Sequence, residues 1–340
     1  MTQSPLQSDP IEIPAQYRDA LRNLANVPVL QLTRVATPVE EMSRLRSALG
    51  GGPRLLVKRD DAIPFGFGGN KVRKLEMVAV AAMDAGADVL VTLGGVQSNH
   101  ARATAAVAAK IGMRCVIVVN GTPPERATAN ALLDQLLGAE VEYIDSREER
   151  ARALAATVAR LEREGHTPYA IPLGASIPLG SLGFVRAMGE LLEQTAPPNI
   201  IFHASSSGGT QAGLVAACAL YGLSTRVIGV SADNSAAEIA AKVREIVRGI
   251  GDSLGVDGDE LASARPIEID DRWVGDGYGI PSEASREAQQ LAARNEALFL
   301  DHTYTAKAFA ALIAHVRGGH SRDDATVLFW HTGGQVGLFA

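Results

Sequence analysis

Short apolar segments rich in β-branched residues alternate with helix-like segments along most of this chain. The segment 89–93 is followed by a predicted helix over 99–111, and the segment 115–119 by a predicted helix over 127–137. Parallel strands need long crossover connections, so buried strands that alternate with helices are typical of parallel sheets. The sequence therefore predicts an α/β fold built from doubly wound parallel sheets.

The same alternation extends to both ends of the chain. Further strands are predicted over 55–58, 141–144, 199–203, 227–230 and 327–330, and further helices over 39–49, 147–164, 211–221, 235–250, 282–297 and 306–317. The Pro-, Gly- and Ser-rich segment 171–183 predicts a hinge, and the acidic segment 249–264 an exposed loop. A length of 340 residues favours two domains. We expect a large domain of residues 1–84 and 184–340 and a small domain of residues 85–183.

Composition narrows the classes of function. No apolar run approaches the roughly 20 residues of a membrane span, and residues 1–14 are polar where a secretory signal is apolar. We expect a free N-terminal tail and a cytoplasmic protein that contacts no membrane.

The charge of the chain bears on its partners. A net charge of −6 without a basic patch argues against nucleic acid, which leaves small molecules as partners. Cys115 and Cys218 lie in apolar segments, as expected of buried thiols in a reducing compartment. The scattered histidines predict no metal site.

A glycine-rich loop over 66–69 leads into Asn70, Lys71 and a basic helix start. Lys71 is expected near the positive end of a helix dipole and close to Arg73 and Lys74, and both effects disfavour a protonated amine. A free amine is what Schiff-base chemistry with an aldehyde cofactor needs. The alternative, on this motif alone, is a solvated basic helix start.

A second glycine-rich turn, 205–210, follows a buried strand and opens a helix. Such a turn aims backbone N–H groups at a phosphate, although it can also serve only close packing. The turn lacks the Gly-Lys-Thr ending of a nucleoside triphosphate loop, and it is not Gly-x-Gly-x-x-Gly. A monophosphate fits it better than either class of nucleotide.

A third turn, 94–100, also follows a buried strand and opens a helix. Its backbone donors and the side chains of Gln97, Ser98 and Asn99 are expected to converge on a substrate carboxylate. The alternative is that Ser98 or Asn99 only caps the helix, and the two interpretations are compatible. We interpret His100 as a hydrogen-bonded spacer beside the substrate rather than as a base.

Four ordered motifs, at 69–76, 97–100, 207–213 and 331–334, resemble those of the fold-type-II pyridoxal-phosphate enzymes. Within them, the chain is similar to the group that contains 1-aminocyclopropane-1-carboxylate deaminase, D-cysteine desulfhydrase and L-cysteate sulfo-lyase. The match runs from about Pro28 to the C-terminus. The resemblance implies a tryptophan synthase β-like fold and pyridoxal 5′-phosphate as the cofactor.

The resemblance also implies roles for individual residues. Lys71 is the Schiff-base lysine and forms the catalytic set with Ser98, Tyr278 and Tyr304. The cofactor is held by Asn70, Lys71, Lys74, Ser207, Gly208, Gly209 and Thr210, and either Thr305 or Thr332 lies beside its pyridine nitrogen. The substrate is held by Gln97, Ser98, Asn99 and His100. Without the resemblance, Tyr278 and Tyr304 would be interpreted as packing rings with a wet hydroxyl.

Two departures from the group's pattern bear on the reaction. Thr305 stands where the deaminases have Glu, as in the desulfhydrases, and the usual Asp-Pro-Val-Tyr is Asp-His-Thr-Tyr at 301–304. We therefore expect α,β-elimination on a small amino acid such as D-cysteine or L-cysteate, carried out by a homodimer. The alternatives are 1-aminocyclopropane-1-carboxylate deamination, racemisation or another lyase activity, and a non-catalytic α/β protein that binds a small molecule.

Overall fold

A computed structural model describes residues 11–340, in which helices and strands alternate along the chain. The strands are β1 (Val39–Glu41), β2 (Arg54–Arg59), β3 (Val89–Gly95), β4 (Arg114–Asn120), β5 (Glu140–Ile144), β6 (Pro168–Ala170), β7 (Ile200–Ser205), β8 (Arg226–Ser231), β9 (Glu268–Asp270) and β10 (Thr326–His331). The helices are α1 (Arg18–Asn26), α2 (Ser43–Ala48), α3 (Asn70–Asp84), α4 (Asn99–Ile111), α5 (Ala129–Leu136), α6 (Arg150–Arg163), α7 (Pro178–Gln194), α8 (Gly209–Leu220), α9 (Ala236–Leu254), α10 (Gly258–Ser263), α11 (Glu283–Glu296) and α12 (Thr305–Arg317).

The strands form two sheets. The larger sheet has the order β1-β2-β10-β7-β8-β9, in which all neighbours are parallel except the antiparallel pair β1 and β2. The smaller sheet has the order β5-β4-β3-β6 and is entirely parallel. Helices α7, α8 and α9 cover one face of the larger sheet, and α2, α11 and α12 cover the other. The predicted α/β fold with doubly wound parallel sheets is confirmed.

Strand β10 shows how the core is divided between the two faces of the larger sheet. Side chains alternate between the faces of a strand, so consecutive aromatic residues point in opposite directions. Trp330 meets Phe184 of α7 edge-on with 5.8 Å between ring centroids, and Phe329 meets Phe309 of α12 at 4.8 Å. All four rings are fully buried, and truncating any of them to alanine would cost about 3–5 kcal/mol.

Two predicted elements before residue 184 are wrong. The predicted helix over 39–49 is a strand followed by a short helix, because Val39–Glu41 pairs with the edge of β2 and the helix begins only at Ser43. Helix α7 begins at Pro178, inside the segment predicted as a hinge. Gly183 permits this packing, since a Cβ there would lie 2.3 Å from the carbonyl oxygen of Arg73 on α3.

The predicted exposed loop over 249–264 is also wrong. Helix α9 continues to Leu254, and α10 follows after a short turn. Leu254 and Leu261 are buried in the core of the larger sheet, while Asp259 is exposed. The acidic residues of this segment therefore mark the outer side of packed helices rather than a loop.

The position of the domain boundary stays a prediction. Every strand of the smaller sheet lies within residues 85–183, and every strand of the larger sheet lies outside that range. Helix α3 belongs to the predicted large domain, yet it packs Leu75 and Val78 into the core of the smaller sheet and also contacts α7.

Three further expectations concern membrane-spanning helices, the two thiols and the N-terminal tail. No helix within residues 11–340 combines the length and apolar character needed to span a lipid bilayer. Cys115 and Cys218 are free and buried, as predicted, and burial raises the pKa of both thiols to about 12. Residues 1–10 of the expected N-terminal tail lie outside the described residues, whereas Ile11 packs against the core of the larger sheet.

Candidate active site

A cavity of about 310 Å³ opens where the carboxyl ends of strands from both sheets face each other. Ligand sites of open α/β sheets lie at such strand ends. Residues at the ends of β3, β7, β8 and β10 and in the first turns of α3, α4 and α8 line the cavity. Of the residues named from the sequence, the lining includes Asn70, Lys71, Lys74, Ser98, Asn99, His100, Ser207, Gly208, Thr210, Tyr278, Tyr304 and Thr332.

Lys71 is the second residue of α3 and lines the cavity. The preceding loop requires glycine, since Gly68 has φ 66° and a Cβ there would lie 2.6 Å from the carbonyl oxygen of Ile63. Burial, followed by the charge of Arg102, lowers the pKa of the Lys71 amine to about 8. About a tenth of this amine is therefore deprotonated at pH 7, a far larger fraction than for a lysine with the usual pKa.

The cause of this shift differs from the one expected from the sequence. Arg73 was expected to repel the Lys71 ammonium, but its guanidinium turns away from the cavity and binds Asp60 at 2.8 Å and Glu190 at 2.9 Å. These carboxylates neutralise the charge of Arg73. Arg102 takes its place, because it is buried beside the glycine loop and donates hydrogen bonds to the carbonyl oxygens of Gly66 and Gly68.

Lys74 lies one turn further along α3 and is buried. Its ammonium contacts the hydroxyl of Ser176 at 3.0 Å and the carbonyl oxygen of Gly174 at 3.2 Å. Burial, and then the charge of Lys71, lowers the pKa of Lys74 well below its usual value. Neither lysine has a carboxylate ion-pair partner in the part of the chain that the structure describes. The two lysines therefore form a buried cationic site that lacks a counterion.

The N-terminus of α8 faces the same site. The hydroxyls of Ser176 and Ser207 lie 2.7 Å apart, and the backbone N–H of Gly209 donates to Ser176 at 3.3 Å. A Cβ at Gly209 would lie 2.8 Å from Lys74 Nζ, so only glycine leaves this space open. Helix N-terminal N–H groups, serine hydroxyls and a buried lysine are the donors that a phosphate needs. The residues present therefore fit a phosphate monoester.

Ser98 and Asn99 lie at the N-terminus of α4, on the smaller-sheet side of the cavity. Ser98 is the N-cap of α4, and its hydroxyl accepts a hydrogen bond from the backbone N–H of Ala101 at 3.1 Å. The Asn99 side-chain oxygen accepts from Asn130 at 3.0 Å. Both residues line the cavity, so capping and ligand binding remain compatible for Ser98.

Gln97 does not share this position. Its side-chain oxygen accepts from the backbone N–H of Asn130 at 2.9 Å, and its amide donates to the carbonyl oxygen of Thr128 at 3.3 Å. The Gln97 side chain thus ties the turn to the start of α5 and is absent from the cavity lining. The geometry argues against Gln97 as a substrate contact, because both polar groups of its side chain already have hydrogen-bond partners.

His100 is buried with its Nε2 2.9 Å from the hydroxyl of Thr92. Burial, and then the charges of Lys71 and Lys74, lowers the pKa of His100 well below its usual value. The imidazole is therefore neutral, and its contact with Thr92 is that of the hydrogen-bonded spacer expected from the sequence.

Tyr278 and Tyr304 form a pair at the mouth of the cavity. Their hydroxyls are hydrogen-bonded to each other, and their rings pack edge-on with centroids 5.7 Å apart. The guanidinium of Arg147 lies 5.1 Å from the centroid of the Tyr278 ring. Burial is the main cause that raises the pKa of both phenols. Both tyrosines are therefore protonated at neutral pH and can donate a hydrogen bond.

The two threonines proposed beside the pyridine nitrogen occupy different places. Thr332 lines the cavity, and its carbonyl oxygen accepts from the backbone N–H of Asn70 at 2.9 Å. Thr305 is buried at the start of α12 with its hydroxyl 2.7 Å from a carboxylate oxygen of Asp301, and it is absent from the cavity lining. Of the two, the geometry favours Thr332.

The cavity lining includes residues that were not identified from the sequence. Asp233 and Asn234 follow β8, and the rule that ligands bind at strand ends could have indicated them. Ser176 precedes α7 in the segment interpreted as a hinge. Arg147 precedes α6 and Arg150 is its first residue, within the segment 147–164 that was predicted as a helix without a role in the site. No local signal separates these two arginines from the other charges of that helix.

Comparisons with known proteins agree with this geometry. The family model described as "Pyridoxal-phosphate dependent enzyme" matches residues 30–333. D-cysteine desulfhydrase of Serratia proteamaculans is 41% identical over 328 residues, which cover 94% of this chain and 97% of that protein. D-cysteine desulfhydrase of Yersinia enterocolitica is 40% identical over 326 residues, which cover 93% of this chain and 97% of that protein.

Solved structures of pyridoxal-phosphate enzymes and their homologues have a similar fold. The crystal structure of an ACC deaminase homologue matches with a TM-score of 0.87 and 33% identity, covering 95% of this chain and 96% of that one. A pyridoxal 5′-phosphate-dependent aspartate racemase matches with a TM-score of 0.69 at 16% identity, a likeness of fold alone. The family model covers most of the chain, and the desulfhydrases match over nearly their full length. The chain therefore belongs to the family of pyridoxal-phosphate dependent enzymes.

Proposed function

We propose that this enzyme is a lyase that carries out α,β-elimination on D-cysteine or a closely related amino acid. D-cysteine and water would give pyruvate, ammonia and hydrogen sulfide, a balance that needs no oxidant or reductant. The observation that carries the proposal is the convergence of Lys71, two helix N-termini and a tyrosine pair in one cavity. The full-length similarity to D-cysteine desulfhydrases supports the choice of substrate.

We assign the cofactor contacts from the geometry of the buried cationic site. Lys71 would hold pyridoxal 5′-phosphate covalently through its amine. Lys74 and the N-terminus of α8 would hold the phosphate, which supplies the counterion that both lysines lack. Asn70, whose side-chain amide donates to Thr210 at 2.9 Å, lies between these groups. When bound, the cofactor supplies an electron sink for the bond electrons released at the substrate's Cα.

The chain's own residues then bind the substrate and move its protons. The N-terminus of α4, with Ser98 and Asn99, would hold the substrate carboxylate and fix the orientation of the Cα–H bond. Lys71 Nζ, whose pKa is lowered to about 8, is the base suited to take the Cα proton. The protonated phenols of Tyr278 and Tyr304 would donate a hydrogen bond to the departing β substituent.

A second candidate activity is the deamination of 1-aminocyclopropane-1-carboxylate, because an ACC deaminase homologue shares the fold closely. Opening the cyclopropane ring generates a difficult carbanion, which an acidic partner at the pyridine nitrogen would help to stabilise. Asp233 is the only acidic residue among the described residues that line the cavity, and it already contacts Arg147 at 3.1 Å and Ser206 at 3.1 Å. Thr332 offers only a neutral hydroxyl. These contacts favour elimination over ring opening.

Parallel assays of keto-acid release distinguish these activities. With equal concentrations of D-cysteine and 1-aminocyclopropane-1-carboxylate, we expect pyruvate and sulfide in equal amounts from D-cysteine and slower release of keto acid from the cyclopropane. Faster turnover of the cyclopropane would assign the chain to the second activity. If cofactor binds but neither substrate is turned over, the non-catalytic binding protein becomes the better interpretation.

We also propose that the enzyme is a homodimer in the cytoplasm. Two features support this assembly and this location. Leu132 and Leu136 of α5 are exposed beside the C-terminal turn that carries Leu338 and Phe339, and an apolar surface of this kind is typical of an interface. Both thiols are unpaired, as is usual in a reducing compartment. Sedimentation of the purified enzyme measures the oligomeric state.

A further inference from the structure

Arg150 is a cation at the mouth of the cavity that has no carboxylate ion-pair partner among the described residues. The hydrogen bonds that its guanidinium makes there go to the neutral side-chain oxygen of Asn120, which lies 2.8 Å from Nε. Within residues 11–340, no carboxylate forms an ion pair with Arg150. Burial, and then the charge of Arg147, lowers the pKa of Arg150, although the carboxylate of Asp233 acts in the opposite direction. Arg150 is partly buried and has no anionic partner among the described residues. Its free N–H groups can therefore donate charge-assisted hydrogen bonds to an anionic ligand.

The other cations of the cavity have defined partners or belong to the cofactor side. Arg147 is paired with Asp233 and covers the ring of Tyr278. Lys242, on α9, lies beside Gly208, on the side where the phosphate would bind. Arg150 instead lines the mouth of the cavity together with Tyr278 and Tyr304. It is therefore placed on the substrate side, next to the pair that we assign to the departing group.

We propose that Arg150, with Arg147 beside it, forms a subsite for a second anionic group on the substrate. This inference rests on the proposed function and narrows its substrate class. The enzyme would prefer amino acids whose β substituent carries a negative charge, such as a sulfonate or a thiolate, over those with a neutral β substituent. A guanidinium group suits a sulfonate best, because its planar fork donates two parallel hydrogen bonds to two oxygens of one group.

The proposed subsite acts on both binding and bond breaking. During elimination, the Cβ–S bond breaks and its electron pair leaves with sulfur, while the Cα proton is removed. Cysteate and water thus give pyruvate, ammonia and hydrogen sulfite without an oxidant or reductant. Arg150 would balance the charge of the sulfonate before the bond breaks and that of the departing sulfite afterwards.

The test compares charged and neutral substrates in matched variants of the cofactor-loaded enzyme. Arg150→Met removes the charge, Arg150→Lys retains it without the planar fork, and Arg152→Met is the control, because Arg152 lies on the same helix but is exposed and outside the cavity lining. We expect Arg150→Met to lower kcat/KM for cysteate about tenfold to a hundredfold more than kcat/KM for 3-chloroalanine. Arg150→Lys should recover part of this difference, and Arg152→Met should not change the ratio.

A binding measurement separates recognition from chemistry. 3-Sulfopropanoate has the same two acidic groups as cysteate but no amine, so it binds without reacting. By calorimetry we expect it to bind the wild-type enzyme at least about tenfold more tightly than propanoate, and the advantage should largely disappear in Arg150→Met. An equal advantage in the wild type and in Arg150→Met would overturn the subsite. Absence of keto-acid release from D-cysteine, cysteate and 3-chloroalanine in the wild type would instead reject the proposed function.

Discussion

Lys71 and Lys74 have different surroundings from Arg73, which lies between them in the sequence. Residues three apart on a helix share a face, so the two lysines both point into the cavity while Arg73 points toward the core of the protein. Arg73 finds two carboxylates there, Asp60 and Glu190. Within residues 11–340 neither lysine pairs with a carboxylate, and this lack of negative charge makes their site complementary to a phosphate.

Ser98 is the residue at which capping and substrate binding can be separated. Ser98→Ala removes both the cap and the hydroxyl, and should destabilise the protein by about 1 kcal/mol and raise KM. Ser98→Asp retains a good N-cap but places a negative charge beside the substrate carboxylate. We therefore expect Ser98→Asp to unfold at the wild-type temperature, yet to bind substrate about a hundredfold more weakly.

Thermal unfolding and steady-state kinetics of the two Ser98 variants decide between these roles. A loss of stability in Ser98→Ala with unchanged KM in both variants would show that Ser98 only caps α4.

At the level of elements, two helix N-termini define the ends of the site. Helix α4 follows β3 and helix α8 follows β7, and each presents its first turn to the cavity. Because β3 and β7 each run parallel to their neighbours, these helix starts lie at the carboxyl edges of the two sheets, where both dipoles favour an anion. The arrangement separates the phosphate site that we propose at α8 from the carboxylate site that we propose at α4.

Gly209 at the start of α8 tests the phosphate site. The backbone at Gly209 does not have the positive φ that favours glycine, so alanine is permitted there, but its Cβ would lie 2.7 Å from Ser176 Oγ and 2.8 Å from Lys74 Nζ. We expect Gly209→Ala to weaken the binding of pyridoxal 5′-phosphate about tenfold or more, a loss of about 1.4 kcal/mol. Equilibrium dialysis measures this affinity.

Gly337→Ala is the matched control for Gly209→Ala. A Cβ at Gly337 would meet only Asp301, at 3.9 Å, which is an ordinary contact. Equal cofactor affinity in both variants would place the phosphate elsewhere.

The packing of α4 against α5 makes stability depend on pH. Burial raises the pKa of Asp134 to about 7, although Arg102 acts in the opposite direction, and one carboxylate oxygen of Asp134 has no hydrogen-bond partner. A carboxyl group whose pKa is raised in the folded state stabilises that state at low pH. This stabilisation is lost as the pH rises from about 4, the pKa of an unfolded Asp, to about 7.

Asp134→Asn should remove this dependence. Relative to the wild type, its free energy of unfolding should increase by about 2 kcal/mol between pH 5 and pH 8, as measured by urea unfolding at each pH. The exposed Asp84→Asn serves as the control and should show no such change. The prediction would be contradicted if the free energies of unfolding of Asp134→Asn and the wild type differed by the same amount at pH 5 and at pH 8.

At the scale of the whole molecule, a buried polar network joins the elements around α3. Burial alone would raise the pKa of Glu190, but hydrogen bonds and charges from Arg73 and Lys58 outweigh it and lower the pKa to about 2. Burial lowers the pKa of Lys58, yet its 2.6 Å contact with Glu190 favours the charged pair. Asp60 also accepts a hydrogen bond from Trp330 of β10 at 2.8 Å. The network thereby fixes α3, and with it Lys71, against the central strands.

The parts of the fold that could be predicted are those with a strong local pattern. Helix α4 matches its predicted range of 99–111, because a buried strand, an N-cap and an alanine-rich face coincide there. The strand at Val39–Glu41 could not be predicted, since it depends on pairing with β2. Pairing with a strand that is distant in the sequence produces no local hydrophobic pattern from which it could be predicted.

The same distinction holds for the site. Lys71, Ser98 and Gly208 belong to glycine-rich turns at strand ends, which have a recognisable form. Ser176 and Arg150 reach the cavity only because α7 and α6 pack where they do. The attribution of the Lys71 shift to Arg73 was wrong for a related reason, because the partners of Arg73 are distant in sequence.

The central claim is that Lys71, alone among the lysines of the cavity, carries the cofactor. Borohydride reduction of the loaded enzyme fixes the cofactor to the amine that holds it, and peptide mass spectrometry then identifies the residue. We predict a single phosphopyridoxyl group on Lys71, and neither this group nor visible colour in a folded Lys71→Ala variant. A phosphopyridoxyl group on Lys74 or Lys242, or a folded Lys71→Ala variant that remains coloured and active, would contradict the assignment.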